Sequence, residues 1–430
     1  MRFHGLLFAA FGLCFMLGCP QEPPPAAPPG GTDAPAGETP AAETAAPAPE
    51  EPAAPAADPD DEASVAGLEE FGVQLKRNKA GNIVAIDVEG ARSFGDEQVP
   101  LLKGLPALED VDISMSQVSN DGLAILKDIE TIKSLNLRRC ANVDDEGIAY
   151  LVSMPHLEKL ILLYNSNSIS DNALESIGKI TTLKVLDLRG CVRISDVGLA
   201  HLSGLTNLVD LRLKTSGVSD EGVAHLEPLK KLRVLHLEQT RVTGEGLAAL
   251  SGMTDLTELN LYNTQVDDEG LSHLSEMSKL KWLRLRDTAT LGTGLASLEK
   301  SHDSLQTLDM SESFVDDSGL AEIAKFPNLE SLNLWAGTFT GDGLNQITSL
   351  TKLKELNLQS TDVSDDTLDI VAQLSSLENL NLMETRITSA GLAKLHGLKN
   401  LKSINLANSD VDEAGITALK EAIPNLDVQT

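Results

Sequence analysis

One spacing governs this chain. From Ile83 onward an L-x-x-L-x-L hexamer, with Ile at the first position in places, returns every 24 to 26 residues. Its starts fall at Ile83, Leu108, Ile132, Leu157, Leu183, Leu208 and Leu232, then at Leu256, Leu280, Leu305, Leu329, Leu353, Leu377 and Leu401. A remnant begins at Leu426, so fourteen units are written in register. Residues 256–279, LTELNLYNTQVDDEGLSHLSEMSK, show one of them. Strand side chains alternate, which puts Leu259 and Leu261 on one face and Glu258, Asn260 and Tyr262 on the other. Val266 and the run Asp267-Asp268-Glu269-Gly270 turn the chain, and Leu271, Leu274 and Met277 then recur at helical spacing. Seven apolar residues cannot offset the cost of ordering a whole unit, so the units must stack.

The consensus, L-x-x-L-x-L-x-x-T-x-V-S/T/D-D-x-G-L-x-x-L-x-x-L, resembles the leucine-rich-repeat family over about 80% of the chain. Cys140 and Cys191, in CANVDDEGI and CVRISDVGL, resemble the cysteine-containing subtype. The resemblance implies an α/β solenoid, a horseshoe with a parallel sheet on its concave face and helices on its convex face. It also implies protein recognition, without naming a partner. Ahead of the array (83–430) a cap is expected over 64–82. It should contain a short helix near 68–71 and a hairpin of 73–77 against 82–88, turning through 78–81 and shielding the first edge.

The N-terminal part reads differently. Arg2 precedes an apolar run from Leu6 to Leu17, closed by Gly18-Cys19. The run is of signal-peptide length and short for a membrane span. Residues 1–18 resemble a bacterial lipoprotein signal, with Met16 and Leu17 at the positions usually held by Leu and a small residue. The resemblance implies cleavage before Cys19, lipidation of its thiol and membrane anchoring, facing either the periplasm or the cell surface. An ordinary secretory signal or an uncleaved anchor stays open as the other reading. Residues 20–63 hold 13 of the 19 prolines and no Lys or Arg. Such a stretch buries too little to fold, so 19–63 is expected to be a disordered tether, reaching about 35 Å as a coil or about 135 Å as polyproline.

Charge narrows the partners. The chain carries 34 Lys+Arg against 64 Asp+Glu, a net charge of -30, which argues against a nucleic-acid backbone as partner, since binding one needs clustered cations. The recurrent acidic runs, such as Asp144-Asp145-Glu146 and Asp267-Asp268-Glu269, are read as helix starts and not as calcium loops. Ser219, Thr243, Ser364 and Thr388 stand at the N-cap positions. Glycines before the helix Leu, Gly198 and Gly222 among them, are read as close approaches between helices, since no G-x-G continues into a phosphate loop. Cys140 and Cys191 are expected to be buried, unpaired thiols. His201, His225 and His273 belong to the outer helices as solvent-facing residues. No cofactor, metal or catalytic motif is indicated.

The outward strand positions are the informative ones. Between the third and ninth units they sum to about +3 in this acidic chain, and both tryptophans fall on this face. The candidate ligand-binding residues are Arg189, Arg212, Lys214, His236, Tyr262, Trp282, Arg284, Arg286 and Trp335, residue types that dominate binding energies. Further on, Asn333, Asn357, Asn381 and Asn405 share one outward position. They form either a self-pairing amide ladder or a row of hydrogen-bonding groups for an extended peptide or a glycan. The expectation is a non-enzymatic, membrane-tethered scaffold that binds a protein, through an acidic or polar segment, on its concave face. A structural envelope component acting by spacing or self-association is the alternative.

Overall fold

The computed structural model describes residues 58–91 and 93–430. The expected signal, Cys19 and most of the expected tether lie outside the described residues. Sixteen strands form one sheet in strict chain order. The first two, Gln74–Arg77 and Ile83–Asp87, make the antiparallel hairpin expected of a cap. Every later pairing is parallel, down to Asp427–Gln429. Parallel strands sit about 4.8 Å apart whereas packed helices need about 8–10 Å, so stacking bends the array with the sheet inside.

The cap starts earlier than expected. A helix runs over Glu62–Glu70, and Asp61 caps it by accepting from the Ser64 N–H at 2.8 Å. Asp60, read from sequence as tether, accepts from the Ile83 N–H at 2.8 Å and pairs with Arg77 at 3.2 Å. Two acidic residues in a Pro/Ala-rich stretch thus belong to the folded body, because each satisfies a backbone donor that the cap leaves free.

Within a repeat the pattern holds to the side chain. Leu256, Leu259, Leu261, Val266, Leu271, Leu274 and Met277 are all at most 1% exposed. No strand is satisfied by its own repeat. The Leu261 N–H donates to the Arg284 carbonyl at 2.9 Å, and the Glu258 N–H donates back to the Arg233 carbonyl at 3.0 Å. At the end of the strand Asn263 adopts φ +53°, and Gln239, Asp287, Glu312 and Ala336 do likewise. Each left-handed turn costs a non-glycine residue about 1–2 kcal/mol. Here the turn leaves its N–H in the ladder, with Asn263 donating to Arg286 at 2.9 Å.

The convex side departs from the expectation of uniform helices. Glu245–Leu250, Gly270–Leu274 and Thr293–Ser301 are 3-10 turns, while flanking repeats such as Asp171–Ile177 and Asp317–Ile323 are α-helical. In many repeats the acidic residues do more than cap. Asp171 accepts from both the N–H (2.8 Å) and the hydroxyl (2.6 Å) of Ser195, one repeat on. The same bidentate bond joins Asp96 to Ser119, Asp196 to Ser219, Asp220 to Thr243, Asp317 to Thr340 and Asp365 to Thr388. Ser195 and Thr388 also accept from the N–H two residues on, as caps do. Thr243 accepts from the Glu245 N–H in the same way at 3.3 Å, whereas Ser219 makes no such side-chain bond and serves mainly as the partner of the preceding repeat's carboxylate.

This staple explains the glycine. A Cβ on Gly198 would fall on Oδ1 of Asp171, and one on Gly222, Gly246, Gly343 or Gly391 would meet the corresponding Asp. At Gly270, Gly294 and Gly319 backbone meets backbone instead. A Cβ on Gly292 would lie 2.9 Å from the Cα of Gly319. Exposed lysine–carboxylate pairs also bridge repeats, Lys133–Glu109 and Lys354–Glu330 among them. At about 0–1 kcal/mol each they are secondary.

Two outcomes are expected. Alanine in place of Gly198 gains up to about 1 kcal/mol in helix propensity but loses about 1–3 kcal/mol to overpacking, so G198A lowers the midpoint of urea denaturation. In the D171A/G198A double variant the two losses are less than additive, because the carboxylate that the added methyl group strikes is gone. The second concerns Cys140 and Cys191, both fully buried and unpaired. Burial raises their thiols to about 11 and about 12, respectively, and each Sγ lies near a carbonyl of the preceding repeat, Ile113 at 3.2 Å and Leu162 at 3.1 Å. Peptide mapping after alkylation at pH 8 should find both thiols unmodified until denaturant is added.

Candidate functional site

The candidate residues on the concave sheet divide into two groups, because the sheet supplies most of them with carboxylates from neighbouring positions. Arg189 spends Nε (3.0 Å) and Nη2 (2.7 Å) on Asp187, two residues back on its own strand. Arg212 does the same with Asp210, at 2.9 Å for both nitrogens. Lys214 stands 3.9 Å from Glu238. Asp187, Asp210 and Glu238 are already counted in the sum of about +3 along these strands, so the surplus lies outside these pairs, and these three cations are held in place by their partners.

His236 joins this group. It is only 5% exposed. Its Nε2 lies 2.7 Å from Glu258, and Nδ1 lies 3.5 Å from Glu238, within ion-pair range but out of line for a hydrogen bond. Glu238 also accepts from the Asn260 amide at 2.9 Å. Burial is the largest influence on the imidazole and pushes its pKa down. The two carboxylates outweigh it and leave the pKa above the ordinary value. Its ring stacks beneath Trp282, with centroids 6.1 Å apart and planes inclined by 26°. The structure places His236 as a support for Trp282 more than as a surface group.

The second group is a continuous stack. Tyr262 is half-buried beneath two guanidinium groups, Arg284 at 4.9 Å and Arg286 at 5.1 Å. Arg286 also lies 5.1 Å from the Trp335 ring, so it bridges two aromatic residues. Each contact is worth about 0.5–2 kcal/mol, depending on desolvation. Arg284 Nε bonds Asp309 at 3.0 Å and Arg286 Nε bonds Glu312 at 2.8 Å. Unlike Arg189 and Arg212, these arginines commit only Nε. Among the described residues no hydrogen bond engages their terminal nitrogens. Trp335 is fixed in turn, its indole N–H donating to the Ser360 hydroxyl at 3.3 Å. The stack is a preordered surface of flat rings with free N–H forks beside it, suited to carbonyl or carboxylate groups of a partner.

Sequence reading assembled Tyr262, Trp282, Arg284, Arg286 and Trp335 but missed Asp309, Glu312 and Glu258 as partners. The repeat register held that signal: Arg284 pairs across the sheet with Asp309 and Trp282 with Glu258.

The asparagine row also behaves differently from a self-pairing ladder. Each Oδ1 accepts from the backbone N–H two residues on: Asn333 from Trp335, Asn357 from Gln359, Asn381 from Met383 and Asn405 from Ala407, at 3.0–3.2 Å. Asp112, Asp187 and Asp309 do the same in other repeats. Where Arg212 and His236 hold this position, the strands instead stay regular for five residues, Asp210–Lys214 and Val234–Glu238.

On the convex side His201 and His225 are exposed and His273 is half-buried. Among the described residues no three His, Cys, Asp or Glu side chains gather as for a metal ion, and no helix is long and apolar enough to cross a membrane.

The buried imidazole gives a signed pH effect. A histidine whose pKa is raised on folding stabilises the fold below its unfolded value near 6.5, and that contribution is lost as pH rises through the folded value. Glu238 and Glu258 are held below the ordinary carboxylate value, so their contribution is lost only on strong acidification. Melting temperatures at pH 6 and pH 8.5 should therefore favour pH 6 more in the wild type than in H236Q. An equal difference in both would contradict the assigned pairing.

Solved structures with the same architecture include an internalin from Listeria monocytogenes. It is 20% identical, with a TM-score of 0.53 over 86% of this chain and 94% of the other. A leucine-rich-repeat protein from Leptospira interrogans is 15% identical, with a TM-score of 0.52 over 80% and 94% of the two chains. At these identities the likeness is one of fold. The family model for a leucine-rich repeat region matches residues 111–367, more than half of the sequence. With the register, the parallel sheet and the buried leucine positions described above, that match makes the chain a member of the leucine-rich-repeat family.

Proposed function

We propose that this chain is a non-enzymatic binding scaffold, exported and held at a bacterial membrane through lipidated Cys19, that recognises a protein through the centre of its concave sheet. Leucine-rich repeats typically serve as protein-interaction scaffolds, and the chemistry of this sheet is that of an interface. The observation that carries the reading is the Tyr262–Arg284–Arg286–Trp335 stack, in which aromatic anchors are ordered before a partner arrives and two guanidinium groups keep their terminal donors free. The partner segment is acidic or rich in carbonyl acceptors. Arg189, Arg212 and Lys214, already paired, contribute positioning and local field. Trp282, carried on His236, widens the contact area.

The array holds two tryptophans, and both lie in this region. Their fluorescence therefore reports on the site. A partner captured from envelope extract should shift the emission of the wild type and lose about tenfold or more in affinity for W282A/R284A, as truncated anchors do. An unchanged affinity would move the site elsewhere. Reversible oligomers in light scattering, with no partner captured, would favour spacing or self-association instead.

A further inference from the structure

Beyond the aromatic stack, the C-terminal end of the concave sheet forms a shallow trough of about 450 Å³, lined by Ser331, Asn333, Glu355, Asn357, Asn379 and Asn381 and continuing to Ser403 and Asn405. The four asparagines at its centre face one another in cross-strand register. Because each Oδ1 is committed to its own backbone, every amide is oriented alike and its NH₂ is the group left over. Asn381 makes one long bond from Nδ2, 3.3 Å to Gln359 Oε1, and Asn405 only a weak 3.9 Å contact with the Met383 sulfur. For Asn333 and Asn357 no bond from Nδ2 occurs among the described residues. An aspartate serves the backbone equally well in other repeats, so the fold does not require the amide. What the amide adds is a row of donors repeated at one strand spacing, about 4.8 Å.

We propose that this trough binds a neutral, β-linked polysaccharide lying across the strands. Its lining carries one carboxylate, Glu355, and no cation, which disfavours an anionic ligand. An extended peptide laid across the strands offers carbonyls on one side only every second residue, about 6.7 Å, and falls out of step with the amides after the first. A chain of β-1,4-linked pyranose rings advances by roughly one strand spacing per ring, and although alternate rings are turned over, each carries oxygens on both edges, so every amide of the row meets an acceptor. Its ring and hydroxyl oxygens accept from the amides. Its hydroxyl protons go to the Ser331 and Ser403 hydroxyls and to Glu355, which also accepts from Ser331 at 2.9 Å; all three lie two residues before an asparagine of the row. The trough adjoins the protein-binding centre at Asn333, two residues before Trp335, but the residues tested below lie on later strands, so either site can fail without the other.

The test is titration calorimetry of the protein with neutral hexasaccharides of β-1,4-linked glucose and β-1,4-linked N-acetylglucosamine. An uncharged hexapeptide of Ser and Thr serves as the control. Wild-type protein should bind at least one sugar. N357D/N381D keeps the backbone acceptors but removes two donors, and N379W fills the trough from an exposed side chain that makes no hydrogen bond among the described residues. Each variant should weaken binding by about tenfold or more, N379W with an unchanged melting temperature and N357D/N381D with one lowered modestly by its facing carboxylates. Saturation of the wild type by neither sugar at millimolar concentration would overturn the proposal. So would tighter binding of the hexapeptide, or wild-type affinity in both variants.

Discussion

Every strand of this array finds its hydrogen-bond partners in other repeats, and everything else in the molecule depends on that constraint. A strand of three residues has almost nothing to gain alone. Its N–H and carbonyl groups point to the repeat before and the repeat after, as the bonds from Glu258 back to Arg233 and from Leu261 on to Arg284 show. The leucines follow the same rule, each closing a core that the next repeat completes. Register along the sheet is consequently fixed repeat by repeat, and outward side chains become ordered columns.

That order gives the acidity a structural use. On the convex side, first-turn aspartates are consumed by the Ser or Thr of the following repeat. On the concave side, Asp187, Asp210, Asp309 and Glu312 are consumed by arginines. Carboxylates that looked like a surplus in composition are therefore distributed as joints and as counter-charges. The forks of Arg284 and Arg286 and the amides of Asn333 and Asn357, left unengaged among the described residues, gain significance by contrast with their engaged neighbours.

The sequence made the periodic part of this structure legible. Leu259 and Leu261 face inward, the hairpin caps the first edge, and Cys140 and Cys191 are buried as their positions required. It was less informative wherever a side chain chooses among several nearby partners. Arg212 could have paired across the sheet but takes Asp210 on its own strand, a choice set by rotamer and local geometry. Asn357 faces Asn333 and Asn381 in register yet bonds the backbone, because an otherwise unmade N–H on Gln359 competes for its oxygen. The 3-10 turns at Glu245–Leu250 and Gly270–Leu274 also escaped the pattern, since a leucine spacing of three or four residues fits either helix type.

The pairing of an aspartate with the glycine of the following repeat has a consequence for how such an array changes length. A repeat such as the one containing Asp196 and Gly198 carries a socket for its predecessor and a hook for its successor. Removing or duplicating one whole helical unit of this kind leaves each hook opposite a socket, so growth by complete units creates no mismatched joint on the convex side. The arginine columns are not interchangeable in this way: Arg284 needs Asp309 from one particular neighbour. Gains and losses of repeats are thus expected to be tolerated away from the aromatic stack and rejected within it, leaving a fixed centre between ends of variable length.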